Sequence, residues 1–297
     1  MKPPWLKKKL SLTALQPMQK KLRALNLHTV CEEARCPNIS ECFARGIATI
    51  MIMGEVCTRA CKFCAVATGR PKSLDPADPR RVAHWASSLG LKHLVITSVD
   101  RDDLPDLGAG HFAETVRQIR RENPGMIVEV LTPDFQGKGE LISQVAGTGP
   151  EIYNHNLETV QRLTPRVRSA SKYARSLSVI SHVKKNFPRQ FTKSGLMLGL
   201  GEEEEEVIGA MRDLVESGCD LLTLGQYLQP TPKHLPVVEY IHPDRFNTFK
   251  QIGEEIGFRA VFSGPFVRSS YMAENFLKAA RESKGSSTTP PPYNLLK

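Results

Sequence analysis

Six of the seven cysteines lie in two short groups in the first quarter of the chain. The first triplet is Cys31, Cys36 and Cys42, and the second triplet is Cys57, Cys61 and Cys64. Clustered cysteine thiolates bind iron–sulfur clusters, and a cubic 4Fe-4S cluster ordinarily takes four of them. Each triplet is one thiolate short of that number. We therefore expect each to leave one iron open to another ligand or to a reactant.

The second triplet has the spacing Cys-x3-Cys-x2-Cys, which differs from the Cys-x2-Cys-x2-Cys run of bacterial ferredoxins. So short a loop can wrap three thiolates around three irons of one cube. A zinc site is one alternative, although zinc prefers four protein ligands, usually in paired Cys-x2-Cys units. Unligated core thiols are another. Disulfides are disfavoured because no apolar segment follows the basic N-terminus, which predicts a cytoplasmic or organellar protein.

The composition is that of a soluble globular protein. The 297 residues are 40% hydrophobic and 24% charged, and no apolar run approaches the roughly 20 residues that span a bilayer. The net charge of +9 is compatible with an acidic protein partner, a nucleic acid or a solvated basic surface. Because no dense Lys/Arg block is interleaved with aromatic residues, we predict neither a nucleic-acid partner nor a membrane partner.

From residue 47, short apolar runs alternate with longer segments of helical character. The predicted strands are 48–53, 93–97, 126–131, 151–154, 195–200 and 221–224. The predicted helices between them are 80–89, 110–122, 140–145, 170–186 and 203–217. Six β–α units in series imply a parallel sheet with right-handed crossovers. We predict an α/β fold, an incomplete (β/α)6 TIM-like barrel whose chemistry lies at the carboxyl ends of the strands.

Extensions flank the barrel. We predict an N-terminal extension over residues 1–46, the partial barrel over 47–228, and a C-terminal extension over 229–297 that closes the barrel. The first extension carries an amphipathic helix within residues 14–27 that begins near Pro17. The C-terminal extension carries a helix at about 243–256, a strand at 259–262, a helix at about 270–283 and a disordered tail from about residue 284.

The second triplet resembles the signature of the radical S-adenosylmethionine (SAM) superfamily. The match rests on the spacing of the cysteines and on Phe63, the aromatic residue directly before Cys64. The resemblance implies a 4Fe-4S cluster whose open iron chelates SAM and whose electron releases a 5′-deoxyadenosyl radical. It also implies SAM contacts at Phe63, Ser98, Asn154, Gly199, Gly201 and Glu202. For the two glycines, a tight strand-to-helix turn is an equally good interpretation.

The first triplet, Cys31-x4-Cys36-x5-Cys42, resembles one sulfur-inserting family within that superfamily. Further matches lie at residues 97–104, 153–159, 193–197, 225–231 and 268–271. The resemblance implies that Cys31, Cys36, Cys42 and Ser270 hold an auxiliary 4Fe-4S cluster. It further implies that this cluster is consumed while two sulfur atoms enter an octanoyl chain at C6 and C8. For a serine at this position taken alone, a helix cap is the simpler interpretation.

The same resemblance implies the partners. The octanoyl chain would be amide-linked to a lysine of a lipoyl carrier domain or an H protein. An electron donor such as ferredoxin or flavodoxin would supply electrons, and an iron–sulfur cluster carrier would rebuild the auxiliary cluster. Arg35 and Arg268 lie beside auxiliary ligands and either offset their negative charge or form ordinary surface ion pairs.

Two other functions stay open at this point. Another sulfur-inserting radical SAM enzyme, such as biotin synthase or a methylthiotransferase, would place its second cluster elsewhere. A two-cluster electron-transfer protein of the ferredoxin type would need four thiolates per cube and no large barrel. The first triplet and the match at residues 268–271 argue against the first of these functions, and six clustered cysteines in 297 residues argue against the second.

A few other reactive residues lie outside these motifs. Cys219 stands alone and is predicted to be a buried core thiol. His155 and His234 are predicted to lie near the barrel mouth without forming a metal-ligand pair. Three acidic residues after the second predicted strand form either a carboxylate cluster or a structural loop: Asp100, Asp102 and Asp103.

Overall fold

The computed structural model of the chain describes residues 2–8, 11–271, 273 and 279. The helix predicted at about residues 270–283 lies mostly outside these residues. The tail predicted from about residue 284 lies wholly outside them. Both therefore stay predictions.

Ten strands form in the described residues. They are β1 (His28–Thr29), β2 (Thr49–Ile52), β3 (Val56–Cys57), β4 (Ala67–Thr68), β5 (His93–Ser98), β6 (Ile127–Leu131), β7 (Ile152–Asn154), β8 (Phe191–Leu198), β9 (Leu221–Gln226) and β10 (Ala260–Gly264). Eight of them build one sheet in the order β1-β2-β5-β6-β7-β8-β9-β10, and β3 pairs with β4 separately. Within this part of the chain the two end strands are not paired with each other, so the barrel is open.

Helices connect the parallel strands. The α-helices are α1 (Leu12–Ala24), α2 (Val30–Glu33), α3 (Ile39–Ala44), α4 (Asp78–Ser88), α5 (Ala109–Glu122), α6 (Gly139–Ala146), α7 (Thr164–Val167), α8 (Tyr173–Asn186), α9 (Glu204–Glu216) and α10 (Pro243–Ile256). Short 3₁₀ helices cover Pro4–Leu6, Phe135–Gly137 and Gln161–Leu163. Apart from the antiparallel pair β1–β2, the sheet is parallel throughout.

The predicted incomplete barrel is confirmed. The six predicted strands appear as β2, β5, β6, β7, β8 and β9. The strand predicted in the C-terminal extension, β10, joins the same sheet as a seventh parallel strand beside β9. The division of the chain at residues 46 and 228 stays a prediction.

Apolar side chains fill the space between the sheet and its helices. On α5, Phe112, Val116 and Ile119 recur at helical spacing and are fully buried. Each such side chain contributes roughly 1.5–3 kcal/mol when it leaves water. The helices thereby fix the strands whose carboxyl ends carry the site.

The concave face of the sheet is partly polar. Lys193 Nζ on β8 lies 2.8 Å from Glu129 Oε1 on β6, and both side chains are fully buried. Asn154 on β7, the strand between them, donates to the same carboxylate over 2.9 Å. Polar side chains from three adjacent strands thus meet on one face of the sheet.

The predicted start of the first helix is wrong. α1 begins at Leu12, well before Pro17, and the Ser11 hydroxyl accepts a backbone N–H at its start. Pro17 removes one helical hydrogen bond. The helix nevertheless forms because its apolar face is buried, through Leu15, Met18 and Leu22.

The strand β8 begins at Phe191, earlier than the predicted residue 195. The polar residues Thr192, Lys193 and Ser194 directly precede the apolar run from which the strand was predicted. In the structure each has a buried hydrogen-bond partner, so the strand continues through them.

Gly225 on β9 lets residues 265–271, which we call the 265–271 loop, lie against the sheet. A Cβ at this position would collide with the Val267 carbonyl oxygen. We expect Gly225→Ala to lower the free energy of unfolding by roughly 1–3 kcal/mol, because a packed backbone gives way poorly. Gly209→Ala on α9 is the matched control, since a Cβ there meets open space. Equal thermal midpoints for the two variants would contradict this packing.

Candidate active site: two cysteine triplets around one cavity

The second triplet lies on a loop that leaves the sheet at the carboxyl end of β2. The chain turns through Met53 and Gly54, whose φ angles are 68° and 91°. Cys57 then ends the short strand β3. Its sulfur accepts the backbone N–H groups of Arg59 at 3.4 Å and Asp100 at 3.3 Å. Cys57 is therefore fixed between its own loop and the loop that follows β5.

Arg59, between the first two cysteines of the second triplet, anchors this loop. Its guanidinium lies 2.6 Å from Asp102, 2.9 Å from Asp134 and 3.3 Å from Asp100. These three carboxylates raise the pKa of Arg59 and compensate a buried charge that would otherwise be costly. Asp100 and Asp102 thus belong to an ion-pair anchor, which favours the structural-loop interpretation of the acidic residues.

The other end of the same loop is held by later parts of the chain. His234 Nε2 lies 2.8 Å from the Cys64 carbonyl oxygen. The backbone of Lys62 accepts from Leu235 N at 3.1 Å and donates to the Val167 carbonyl at 2.9 Å. His234 is therefore beside the second triplet, as predicted, and fixes the backbone that carries Cys64.

No disulfide joins any of these cysteines, and burial favours the protonated form of their thiols. Burial is the largest cause that raises the pKa of Cys57 to about 11 and that of Cys64 to about 12. In the first triplet, burial likewise raises the pKa of Cys31 to about 12 and that of Cys42 to about 11. A metal that bound either triplet would therefore have to displace thiol protons, which would couple its binding to pH.

Ser270 lies next to the first triplet. The Thr49 hydroxyl donates to Ser270 Oγ at 2.7 Å across 221 residues of sequence. Thr49 also lies beside Cys31, since its side chain and backbone lower the pKa of the Cys31 thiol against the larger, raising effect of burial. The 265–271 loop therefore contacts a residue that neighbours the most buried cysteine of the first triplet.

Residues beside Ser270 contact the rest of the first triplet. The Tyr271 hydroxyl donates to Glu41 Oε1 at 2.9 Å, and Glu41 directly precedes Cys42. Lys8 Nζ lies 2.7 Å from the other oxygen of Glu41 and 5.7 Å from the centre of the Tyr271 ring. These contacts bind the 265–271 loop to the segment that carries Cys42.

Arg268 lies near Cys36, and their electrostatic interaction raises the pKa of Arg268 against the larger, lowering effect of burial. This placement favours charge compensation at the first triplet over a surface ion pair. Arg35 has a positive φ of 51° and an exposed side chain, yet it also lines the cavity between the triplets.

One cavity of about 480 Å³ joins the two triplets. All the clustered cysteines except Cys42 line it, and so does Ser270. The cavity lining therefore offers three thiols on one side and two thiols with one hydroxyl on the other, while the third thiol of the first triplet, Cys42, lies outside the lining. These donors fit two 4Fe-4S clusters, each with at most three thiolate ligands.

Two of the predicted SAM contacts, Phe63 and Ser98, line this cavity. The buried Ser98 hydroxyl has no hydrogen-bond partner among the described residues, which is the state expected of a group that binds a ligand. Asn154 lies deeper, is fully buried and donates to Glu129. It is not among the residues that line the cavity.

The predicted contacts Gly199, Gly201 and Glu202 also lie outside the cavity lining. The Glu202 carboxylate accepts the backbone N–H groups of Gly199 and, at 2.9 Å, Leu200. A Cβ on Gly199, whose φ is 101°, would collide with the Gln226 amide. These residues shape the turn after β8, and their contact with SAM stays a prediction.

Two ionisable residues at this cavity were not predicted from the sequence. Glu158 and Arg168 both line it, and both influence the pKa of Cys61. Glu158 has a φ of 69°, which its backbone keeps by bonding Gly195 at 2.8 Å and Met197 at 2.9 Å. Glu158 could have been found from the sequence, because it lies within the family-matching segment 153–159, just after the carboxyl end of β7.

Comparison with known proteins decides the family. Residues 51–214 match the radical SAM superfamily, and residues 1–36 match the N-terminal domain of lipoyl synthase of the radical SAM family. The chain is 55% identical over 284 residues to the lipoyl synthase of Thermus thermophilus, a match that covers 94% of this chain and 88% of that protein. This chain belongs to the lipoyl synthase family.

The chain is also 54% identical over 281 residues to the lipoyl synthase of Rubrobacter xylanophilus. This match covers 94% of this chain and 88% of that protein. Lipoyl synthases are sulfurtransferases that insert two sulfur atoms at C6 and C8 of a protein-bound octanoyl chain by radical SAM chemistry. Family membership assigns this reaction to the chain. It decides against biotin synthase, a methylthiotransferase and an electron-transfer protein.

A solved structure confirms the fold of this chain. Methylornithine synthase superposes with a TM-score of 0.54 at 12% identity, over 79% of this chain and 80% of that one. At such low identity the likeness concerns the open barrel alone. Separately, no helix in the described part of the chain is both long and apolar enough to cross a membrane.

Cys219 takes no part in the lipoyl synthase site. It is buried, as predicted, and its sulfur lies 3.3 Å from the Leu221 carbonyl oxygen at the start of β9. This is the amino end of the strand, opposite to the end that carries the cysteine triplets.

His155 lines the cavity but is held as a structural histidine. Its Nδ1 lies 2.9 Å from the Thr132 carbonyl oxygen, and its Nε2 lies 3.0 Å from Ser176 Oγ. Burial, followed by the charge of Arg168, lowers the pKa of His155 to about 4. At pH 7 the ring is neutral, so Nδ1–H donates to the carbonyl and Nε2 accepts from the serine.

The stability of this lipoyl synthase should fall between pH 6.5 and pH 4 because of His155. The unfolded chain takes up a proton on this residue near pH 6.5, whereas the folded chain does so only near pH 4. The full effect is about 3 kcal/mol. His155→Gln keeps one donor and one acceptor but no titration. The thermal midpoint of the wild type should therefore drop relative to the variant as pH falls from 7 to 5. A constant difference would contradict a buried, neutral ring.

Proposed function

We propose that the second triplet holds the SAM-binding cluster and that Cys31, Cys36, Cys42 and Ser270 hold the auxiliary cluster that donates sulfur. The observation that carries this division is the Ser270 hydroxyl, which shares Thr49 with Cys31. A hydroxyl is a harder and more readily exchanged ligand for iron than a thiolate. It therefore suits a cluster that comes apart during the reaction.

The wall beside Cys61 binds SAM. When bound, the reduced cluster and SAM supply a radical that removes hydrogen from an unactivated carbon. Glu158 and Arg168 place one carboxyl and one guanidinium group there, which complements the α-amino and α-carboxylate groups of SAM. Phe63 and the unpartnered Ser98 hydroxyl lie on the same cavity.

The octanoyl chain lies in the cavity between the two triplets, so that C6 and C8 come within reach of both. Apolar side chains line this space: Val30, Met51, Val66, Leu131 and Leu196. Each methylene that leaves water contributes about 0.8 kcal/mol to binding. These side chains also keep water away from the reacting carbons.

The chain's partners are an octanoylated lipoyl carrier domain or H protein, an electron donor of the ferredoxin or flavodoxin kind, and an iron–sulfur cluster carrier. They meet in the cytoplasm. The net charge of +9 supports an acidic carrier protein as substrate. These partners extend the family assignment and are part of the proposal.

The reaction can be tested directly. Reconstituted protein is incubated with SAM, dithionite and an octanoyl-lysyl peptide. We expect 5′-deoxyadenosine and a peptide that has gained two sulfur atoms. The same peptide without its octanoyl group is the control and should gain no sulfur. Absence of both products would overturn the proposed function.

A further inference from the structure

We propose that Lys193 is a positioning residue that holds the 265–271 loop, and with it Ser270, in register with the first triplet. The proposal rests on the assignment of Ser270 made above. Lys193 is the third residue of β8 and is fully buried. Its Nζ donates to the Ser269 carbonyl oxygen at 2.5 Å. Ser269 directly precedes Ser270, so the barrel interior reaches the loop one residue away from the iron ligand.

The ion pair of Lys193 and Glu129 is not explained by its contribution to folding stability alone. Both side chains are fully buried, 2.8 Å apart. A buried ion pair is commonly no more stabilising than apolar side chains of the same size. An ammonium group has three donors, and Glu129 uses only one of them. A second donor reaches the loop, which an apolar residue at position 193 would not do.

The loop is held from two sides of the barrel mouth. On the β8 side, the Asn156 amide donates to Ser269 Oγ at 2.7 Å, while Lys193 holds the backbone of the same residue. On the β2 side, Thr49 holds the Ser270 hydroxyl. Consecutive Cα atoms are only 3.8 Å apart. A shift of Ser269 therefore moves Ser270 by a similar distance relative to the first triplet.

This anchor stays in place when the serine ligand leaves iron. The contact of Lys193 is with a backbone carbonyl and does not involve the Ser270 hydroxyl. The loop therefore keeps its position while the auxiliary cluster is dismantled and rebuilt. Contacts that orient a metal ligand typically change metal affinity by 10–100-fold.

The test uses the double variant Lys193→Met/Glu129→Gln. Lys193→Met alone would leave a buried, unpaired carboxylate and a folding defect, so both charges are removed together. Glu129→Gln is the matched control, because burial lowers the pKa of Lys193, so without the carboxylate the lysine stays buried as a neutral amine that still donates to the Ser269 carbonyl oxygen. Ser270→Ala is the reference for loss of the ligand itself.

The measurement is the rate at which an iron chelator removes iron from the holoenzyme with both clusters reconstituted. We expect the double variant to lose the auxiliary half of its iron about 10-fold faster than the wild type. Its other half should be lost at the wild-type rate, and Glu129→Gln should match the wild type in both halves. The Mössbauer signal of the serine-ligated iron should weaken in the double variant only.

Three outcomes would overturn a claim. Wild-type rates in the double variant, with fast loss in Ser270→Ala, would overturn the role of Lys193 and leave the serine assignment standing. Wild-type rates in Ser270→Ala would overturn the serine assignment itself. Faster loss of both halves, with a thermal midpoint below that of Glu129→Gln, would reduce Lys193 to a purely structural residue.

Discussion

Cys61→Ala should abolish cleavage of SAM, whereas Cys36→Ala should leave it within an order of magnitude of the wild type. Cys61 belongs to the second triplet, beside Glu158 and Arg168, and its loss removes a ligand of the SAM-binding cluster. We expect formation of 5′-deoxyadenosine to fall more than about 1000-fold, a barrier change of about 4 kcal/mol. Cys36 belongs to the first triplet, so its loss should abolish sulfur insertion while SAM is still cleaved.

The two variants are compared by chromatography of 5′-deoxyadenosine and by mass spectrometry of the octanoyl-lysyl peptide. Cys219→Ala is the control, since it removes a buried thiol from the opposite end of β9. It should retain both activities. Equal loss of SAM cleavage in Cys36→Ala and Cys61→Ala would contradict separate roles for the two triplets.

Ser270→Cys should retain SAM cleavage and slow sulfur insertion by about 100-fold, a barrier change of about 3 kcal/mol. The replacement changes one atom and gives the auxiliary cluster a fourth thiolate. A thiolate binds iron more firmly than a hydroxyl, so the cluster should resist the loss of its sulfur. The contact of Thr49 with Ser270 becomes weaker, because sulfur is a poorer hydrogen-bond acceptor than oxygen.

Ser263→Cys is the matched control for this substitution. Ser263 lies on β10, and its hydroxyl donates to the Phe246 carbonyl oxygen at 2.7 Å, away from both triplets. This variant should insert sulfur at close to the wild-type rate. If Ser270→Cys also inserted sulfur at that rate, Ser270 would not be the labile ligand.

The short spacing of the second triplet was enough to predict a cluster-binding site from the sequence. Three cysteines within eight residues can bind one cluster whatever the rest of the chain does, and the alternating apolar runs predicted the barrel that carries them. Local spacing alone did not predict that the two triplets have different roles. Ser270 contacts Thr49, 221 residues away in the sequence, and Thr49 neighbours Cys31, but no spacing rule reports such contacts. Resemblance to a known family supplied these roles.

Buried polar residues account for what the sequence did not predict. Lys193 and Glu129 form an ion pair inside the barrel. In the sequence, however, the lysine precedes the apolar run from which β8 was predicted, so it was not assigned to the strand. The role of Glu158 was equally hard to predict from the sequence, since its backbone takes a left-handed conformation that only tertiary contacts maintain. A pattern of apolar residues identifies which strands form. It does not identify the polar partners that those strands bring together.

The most direct test of the central claim is the iron and labile sulfide content of the chain before and after one turnover with the octanoyl-lysyl peptide. Two 4Fe-4S clusters predict about eight iron and eight sulfide per chain at the start. If the second triplet keeps its cluster and the first triplet gives up its own, both numbers should fall by about half as the two-sulfur product forms. Formation of that product with no loss of iron or sulfide would contradict the account.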